Sequence, residues 1–395
     1  MSDWRTKPLG DVLRLNYGKS LAEKHRVKGP IPVYGSNGIV GSHNEATVPE
    51  PGVIVGRKGS AGRIHHSHGP FCPIDTTYYV TAADAPATDL EFLFYLLCHI
   101  DLTRITGDVG VPGLNREMAY KETVSFPAAL AEQKKIAHVL LTVQRAIEAQ
   151  ERIIQVTTEL KKALMNKLFT EGLRGERQKQ TEIGPVPESW EVVRLGDLLE
   201  KQPQNGIYKH KRDYGFGTQI LRIDDFGNDG DVVTRARNLV AVDRSDVETY
   251  GLQPGDIVVN RVNSLSHLGK TALIGSIDDE MVFESNMMRF SVNESQILKE
   301  YVFKYLNSPQ AKKQIVGTAK RAVAQSSINQ GDVKAILVPK PSIDEQALVV
   351  AAVGAAEAKV AHSTDKALVL NNLFRALLSE LMTAKVRVPG PAFAK

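Results

Sequence analysis

One feature constrains this chain more than any other: an uninterrupted apolar-striped run over residues 130–170 and its echo over residues 344–383. In the first run Ile136, Leu140, Val143, Ile147 and Ile154 follow four- and three-residue steps, the seam of a helix lying lengthwise against another helix. Leu160, Leu164 and Leu168 continue at steps of four, so the stripe drifts round the helix. No proline breaks the run, and Gly172 stands just past its end, where a left-handed C-cap is expected. At 1.5 Å per residue such a helix is about 60 Å long, which suits a spacer.

The second run copies the first at an offset of 213: Glu132-Gln133 becomes Glu345-Gln346, Leu140 becomes Val353, Ile147 becomes Val360 and Leu164 becomes Leu377. A second repeat, Trp4-x4-Leu9-Gly10-Asp11 and Trp190-x4-Leu195-Gly196-Asp197, has an offset of 186. The difference between 213 and 186 is 27 residues of extra length in the second globular region. Equal helices with unequal globular regions imply that the helices do one job twice while the globular regions do different ones. The chain divides into a domain over 1–127, a helix over 128–174, a linker over 175–189, a domain over 190–339, a helix over 340–386 and a loose tail over 387–395. The second helix begins with a capping box, Ser342-x-x-Glu345, where the first has Ala129.

Within 16–127, short apolar runs are broken by glycine and proline. Ile31-Pro32-Val33-Tyr34, Gly52-Val53-Ile54-Val55 and Thr76-Thr77-Tyr78-Tyr79-Val80 predict strands, residues 89–100 a helix, and Thr123-Val124-Ser125-Phe126-Pro127 a last strand feeding the long helix. Tyr34-Gly35-Ser36-Asn37-Gly38 predicts a tight turn, with Asn37-Gly38 supplying positive φ. The second region repeats the plan: strands at 256–259, 270–274, 287–290 and 335–339, and a helix at 298–306. The fold class is α+β, with two β-rich domains related by internal duplication.

Net charge of +4 and a pI near 8.8 permit a nucleic-acid partner without demanding one. Two cysteines, Cys72 and Cys98, make a disulfide framework or thiolate metal site improbable, and a reducing cytoplasm fits. No apolar run reaches the length of a membrane span, and the N-terminus has no signal core.

Gly56-Arg57-Lys58-Gly59-Ser60-Ala61-Gly62 is the most suggestive loop. Its glycines would let backbone amides approach a phosphate, and Arg57 could donate bidentately to guanine. It lacks the Gly-Lys-Ser/Thr ending of a nucleotide-binding P-loop. With Lys19, Ser36, Asn37 and Arg63 it forms the first domain's candidate DNA-contact set. The second domain offers Lys209, His210, Lys211 and Arg212 beside Tyr208 and Tyr214, then Asn260, Arg261, Asn263 and Ser264, and then Lys320 and Arg321 ahead of Gln325-Ser326-Ser327. The run at Asn260-Arg261 aligns roughly with the loop at Arg57. A charge run is more often a solvated face, so each set stands against that plainer reading. His65, His66 and His68 sit on an expected loop at a spacing that matches no common zinc site, so polar surface or DNA contact is expected and metal is not. No hydrolase elbow, zinc-protease pair, nuclease pairing or Asn-Pro-Pro-Tyr/Phe methyltransferase motif occurs, so no catalytic residue is assigned.

Together these residues resemble the specificity subunit of a Type I restriction-modification system, over nearly the whole chain. The resemblance rests on Ile31-Pro32-Val33-Tyr34-Gly35-Ser36-Asn37-Gly38-Ile39, on Gly56-Arg57-Lys58-Gly59, on the Pro127-x4-Glu132-Gln133 and Pro339/Pro341-Glu345-Gln346 helix openings, and on Thr181-Glu182-Ile183-Gly184-x-x-Pro187-x-x-Trp190. The second domain departs from it, with Asn260-Arg261 in place of Gly-Arg-Lys-Gly. The resemblance implies two β-rich target-recognition domains, each reading one half of a bipartite site in double-stranded DNA and held apart by two antiparallel coiled-coil helices. It also implies docking of two modification subunits on those helices, with Glu132, Gln133, Ile136, Leu140, Ile147, Leu164, Glu345, Gln346, Val353 and Leu377 as seam and docking positions. Restriction subunits would join them. No cofactor is expected in this chain; S-adenosylmethionine and ATP with Mg would be held by the partners. The alternatives are the specificity chain of a Type IIB-like system, a helical scaffold that binds no DNA, and a self-contained enzyme.

Overall fold

The computed structural model describes residues 3–105, 113–227, 230–321 and 325–388. It divides into two compact units, one of residues 1–152 with 364–395 and the other of residues 153–363. Each unit holds one globular domain together with half of each long helix. The long helices are Leu130–Glu171 and Ile343–Met382.

In the first unit Ile136 and Leu140, near the start of the first long helix, share a core with Leu381 and Met382 at the end of the second, and Leu377 packs against it. In the second unit Met165, Leu168 and Phe169 share a core with Val349 and Val353, and Leu164 packs against it. Start meets end in one unit and end meets start in the other, so the helices run antiparallel. Leu160 departs from the expected seam: it is 61% exposed. Steps of four overshoot the helical repeat, and the drift has carried Leu160 off the covered face. Gly172 terminates the first helix at φ 64° with its N–H on Leu168 O (3.2 Å), as expected of a C-cap.

The first unit's chain enters on Trp4–Pro8, which pairs antiparallel with Thr123–Pro127, the strand that leads into the long helix. A four-stranded sheet runs in the order Asn16–Tyr17, Thr77–Val80, Gly52–Gly56, Ile64–Ser67, and a three-stranded one in the order Gly38–His43, Ile31–Gly35, Cys72–Pro73. The expected helix is Leu90–Ile100, capped by the Asp89 carboxylate on Phe92 N (3.1 Å). It buries Phe92, Leu93 and Leu96, each worth about 1.5–3 kcal/mol of burial. In the hairpin closed by Ser36 and Asn37 only Gly38 takes positive φ, 108°, so Asn37 does not share that duty. Glycine alone takes this geometry without steric penalty.

The second unit repeats the entry with Glu191–Arg194 paired to Leu337–Lys340. Its five-stranded sheet runs Leu199–Asn205, Met287–Val292, Ile257–Asn260, Thr271–Ile274, Asp231–Val233. The matching helix is Lys299–Leu306, whose Tyr301 and Tyr305 hydroxyls donate to Pro339 O (2.9 Å) and Leu337 O (2.8 Å). Most of the expected linker is a β-hairpin, Gln178–Thr181 with Gly184–Pro187. Gly184 supplies the turn at φ 103°, and Val186 with the adjoining Trp190 is buried. Its polar residues misled the linker reading because a two-stranded ribbon can leave most side chains in water.

The repeated glutamines explain the helix openings. Gln133 accepts from Asp89 N (2.7 Å) and donates to Pro127 O (2.8 Å) and Ala87 O (3.1 Å). Gln346 accepts from Leu298 N (2.8 Å) and donates to Pro341 O (2.9 Å). Both are fully buried, so they clamp each long helix to its own domain and are not presented to a partner. The Ser342 hydroxyl accepts from Glu345 N (3.4 Å), the first half of the expected capping box. The buried Glu345 carboxylate turns elsewhere, accepting from Leu173 N (3.2 Å) with Arg174 Nε 3.7 Å away. It thus ties down the turn that follows the first long helix. Residues 389–395 of the tail lie outside the described residues.

Candidate nucleic-acid interface

An inner strand of each domain is followed at once by an arginine, and the backbone around the two is the same. In the first domain Arg57 N and Lys58 N donate to Thr76 O (2.8 and 3.2 Å), Gly56 N to Arg63 O (2.7 Å) and Gly62 N to Gly56 O (2.8 Å). In the second, Arg261 N and Val262 N donate to Asn286 O (2.8 and 3.3 Å), Asn260 N to Lys270 O (2.8 Å) and Gly269 N to Asn260 O (3.0 Å). The guanidinium groups match too: Arg57 Nη1 donates to Asp75 O (3.1 Å) and Arg261 Nη1 to Ser285 O (3.2 Å). The rough sequence alignment of the two loops is therefore an equivalence in three dimensions.

These bonds revise the chemistry of the first loop. The amides of Gly56, Arg57, Lys58 and Gly62 are all engaged within the domain, so they form no phosphate cradle. The glycines are there for packing: a Cβ at Gly56 would lie 2.2 Å from Ser60 O, and one at Gly62, where φ is 80°, 2.5 Å from Leu102 C. What faces outward is side chains. Arg57 stacks 4.9 Å from the centre of the half-exposed Tyr17 ring, and Arg116 lies 5.2 Å from the same ring. Tyr17, Arg57, Lys58, Tyr78 and Arg116 line a hollow of about 630 Å³. Sequence reasoning missed Tyr17, Tyr78 and Arg116 because they come from separate segments, and only the fold brings them to Arg57.

Beside this hollow the Ser36–Asn37 turn meets the same loop. Asn37 Oδ1 accepts from Arg63 Nη1 (3.1 Å) and Ser60 Oγ (3.4 Å). Ser36 O lies 3.3 Å from His65 Nε2, and burial lowers the pKa of that imidazole. Asn37, Lys58 and Lys19 are exposed. The structure thus brings Ser36, Asn37, Ser60 and Arg63 together; Lys19 is tied by its own amide to Pro73 O (2.9 Å).

In the second domain the candidates fall into two groups. Lys209 is neutralised by Asp246, 2.7 Å away, and Arg212 Nε lies 3.7 Å from Asp213. His210 and Asp213 form a local capping box, and Lys211 is exposed. Tyr214 is half-buried under the Arg222 guanidinium (5.6 Å), and burial raises its pKa. Tyr208 and Phe216 are the exposed rings here, at 72% and 61%. Phe216, absent from the sequence reading, stands between Gly215 and Gly217, both at positive φ. A Gly-aromatic-Gly string was the available signal.

The other group is a small sheet of Val262–Asn263, Ser326–Ser327 and Lys320–Arg321, with Asn263 opposite Ser326 and Lys320 opposite Ser327. It joins two candidate runs that are far apart in sequence. Lys320 is exposed, while the side chain of Arg321 lies outside the described residues. Asn263 Oδ1 accepts from Ser264 N (2.8 Å), and Ser264 Oγ lies 2.9 Å from His267 Nδ1. Asn260 does not join them. Its side chain is fully buried, so it cannot read a base; it occupies the strand-end position that Gly56 holds in the first domain.

Comparison with known proteins agrees with this duplicated architecture. The family model for the Type I restriction modification DNA specificity domain matches residues 1–158 and 187–364. The MjaVIII type I restriction enzyme specificity subunit of Methanocaldococcus jannaschii is 25% identical, over 99% of this chain and 95% of its own. The MjaX specificity subunit of the same organism is 29% identical over 211 residues, which span 53% of this chain and 49% of that one. Among solved structures, the S subunit of a type I restriction-modification system from M. genitalium shares the fold at a TM-score of 0.64 with 14% identity, covering 96% of each chain. Two family matches, one over each domain, account for most of the sequence: the chain belongs to the type I restriction-modification DNA specificity family.

Proposed function

We propose that each globular domain reads one half of a bipartite target in double-stranded DNA, and that the paired helices set the unread gap between the halves. The observation that carries this is the pair of arginines, Arg57 and Arg261, held by equivalent backbone contacts but set in unlike loops. A duplicated frame with unlike side chains suits two readers of two sequences. Arginine donates bidentately to guanine in the major groove, and exposed lysines add phosphate affinity with steep salt dependence.

In this reading the chain itself carries no catalytic residue. It docks two modification subunits that hold S-adenosylmethionine, and restriction subunits that use ATP and Mg join them in the cytoplasm. The docking positions are the exposed residues of the long helices, since Gln133, Gln346 and Glu345 are occupied inside their own units. No helix of the described residues is long and apolar enough to cross a membrane.

The test is selection from a random duplex library by the chain assembled with its modification subunits. Two short fixed blocks at constant separation are expected. One continuous block, or no enrichment, would contradict the proposal and favour a scaffold without DNA selectivity.

A further inference from the structure

Of the clustered histidines His65, His66 and His68, the first two lie on a strand and not on the loop expected from sequence. His65 and His66 belong to Ile64–Ser67, and His68 follows at once. Alternation along an extended chain sends His66 and His68 to one side and His65 to the other. On that shared side the first turn of the helix Leu90–Ile100 supplies Glu91. His66 Nδ1 is 3.5 Å and His68 Nδ1 3.8 Å from Glu91 Oε2. One donor atom from each residue lies within 4.8 Å of the others.

We propose that His66, His68 and Glu91 bind a divalent transition-metal ion of the zinc class, pinning this strand to the helix. Two imidazoles and one carboxylate suit zinc, and their hard-and-borderline mixture does not suit calcium or magnesium, which prefer oxygen alone. Donors around a tetrahedral zinc at about 2.0–2.2 Å stand roughly 3.4 Å apart, so side-chain rotation closes the set.

A second observation points the same way. The His66 side chain is only 8% exposed, and both its ring nitrogens are buried without a hydrogen-bond partner. Glu91 Oε2 faces Nδ1 at 3.5 Å and pairs with the ring only when it is protonated, while Nε2 has no partner. Buried polar atoms are nearly always satisfied, and coordination gives one of these nitrogens a partner. The ring is held in place by stacking on Phe94 at 5.6 Å and by the edge of His68 at 4.3 Å. His68 is 69% exposed, so the fourth position faces solvent and takes a water. The opposite side of the same strand carries His65 against Ser36 O. The ion would therefore stiffen the strand on which the Ser36–Asn37 turn rests.

The full-length chain, stripped with a chelator, is titrated with Zn²⁺ alone by calorimetry, and with Co²⁺ to read tetrahedral coordination from its visible absorption. One ion per chain and a raised melting temperature are expected. His68→Ala, which removes an exposed ring, should keep the fold; it and Glu91→Gln each alter a ligand and should weaken binding by at least the roughly 10-fold that losing a ligand's supporting partner costs. No stoichiometric uptake by the unaltered chain, or unchanged uptake by both variants, overturns the proposal. Metal content and melting are read without DNA, so failure here leaves the DNA reading untouched.

Discussion

Arg57 and Arg261 follow equivalent strands, each with its guanidinium on the carbonyl two residues before a strand paired to its own. Their surroundings then part company. Arg57 stacks on Tyr17 beside a second arginine, Arg116, over an open hollow. Arg261 has its Nε buried without a partner, and its loop runs on to Gly269 with Val262 and Asn263 on a small sheet. The strand-end residue before each also differs. Gly56 leaves no room for a Cβ beside Ser60 O, while Asn260 buries a whole side chain at the equivalent position. The lesson is that the backbone frame fixes where the arginine stands, and the loop that follows is free to change what surrounds it.

The largest effect expected from breaking this comparison is at the two arginines. Arg57→Ala should lower affinity for the cognate duplex about 10- to 100-fold, the worth of one bidentate base contact. Anisotropy titrations at fixed salt, using duplexes altered in one half-site at a time, will show it. Equal loss on every duplex would mark Arg57 as a phosphate contact. Arg57→Lys should restore little, because an ammonium cannot reproduce the planar fork.

Next come the clamps that make the two frames alike. Gln133→Ala leaves Asp89 N, Ala87 O and Pro127 O without their partner, and Gln346→Ala leaves Leu298 N and Pro341 O. Each should destabilise its own unit by about 2–3 kcal/mol, Gln133 the more, measured by urea denaturation. A smaller contrast lies at the helix ends. Gly172→Ala must hold φ 64° and bring a Cβ to 3.0 Å from the Trp190 ring, so a loss of about 1–2 kcal/mol is expected. The second helix is followed by Ala384 at φ 57°, so Ala384→Gly should gain about 0.5–1 kcal/mol. Smallest is the charge run of the second domain. Lys211→Ala should reduce the salt slope of binding by about one, while Lys209→Ala, already paired to Asp246, should change it less.

Much of the frame is legible in the sequence. Helix periodicity and the 213-residue offset locate both long helices, because an apolar stripe of that length and spacing is buried only by a long helix packed along its side. Strands such as Gly52–Gly56 and Ile257–Asn260 declare themselves by β-branched runs that open after a Pro-Gly turn. What stays hidden depends on long-range meetings. Tyr17 and Arg116 reach Arg57 only through the fold, Glu91 reaches His66 and His68 only across a strand-helix contact, and nothing local tells that the Asn260 amide turns inward. The 178–187 hairpin escapes because so few of its side chains are buried. Composition identifies basic runs but not their carboxylate partners, so Lys209 looks freer than it is.

The central claim is that two unlike readers share one chain and act separately, each through its own arginine. Its most direct measurement is methylome sequencing of a host carrying this gene with its partner genes, as it stands and with Arg57→Ala or Arg261→Ala. Separate readers predict a split methylated motif in which each substitution relaxes a different half and leaves the gap unchanged. A single continuous motif, or the same half relaxed by both substitutions, would contradict the claim.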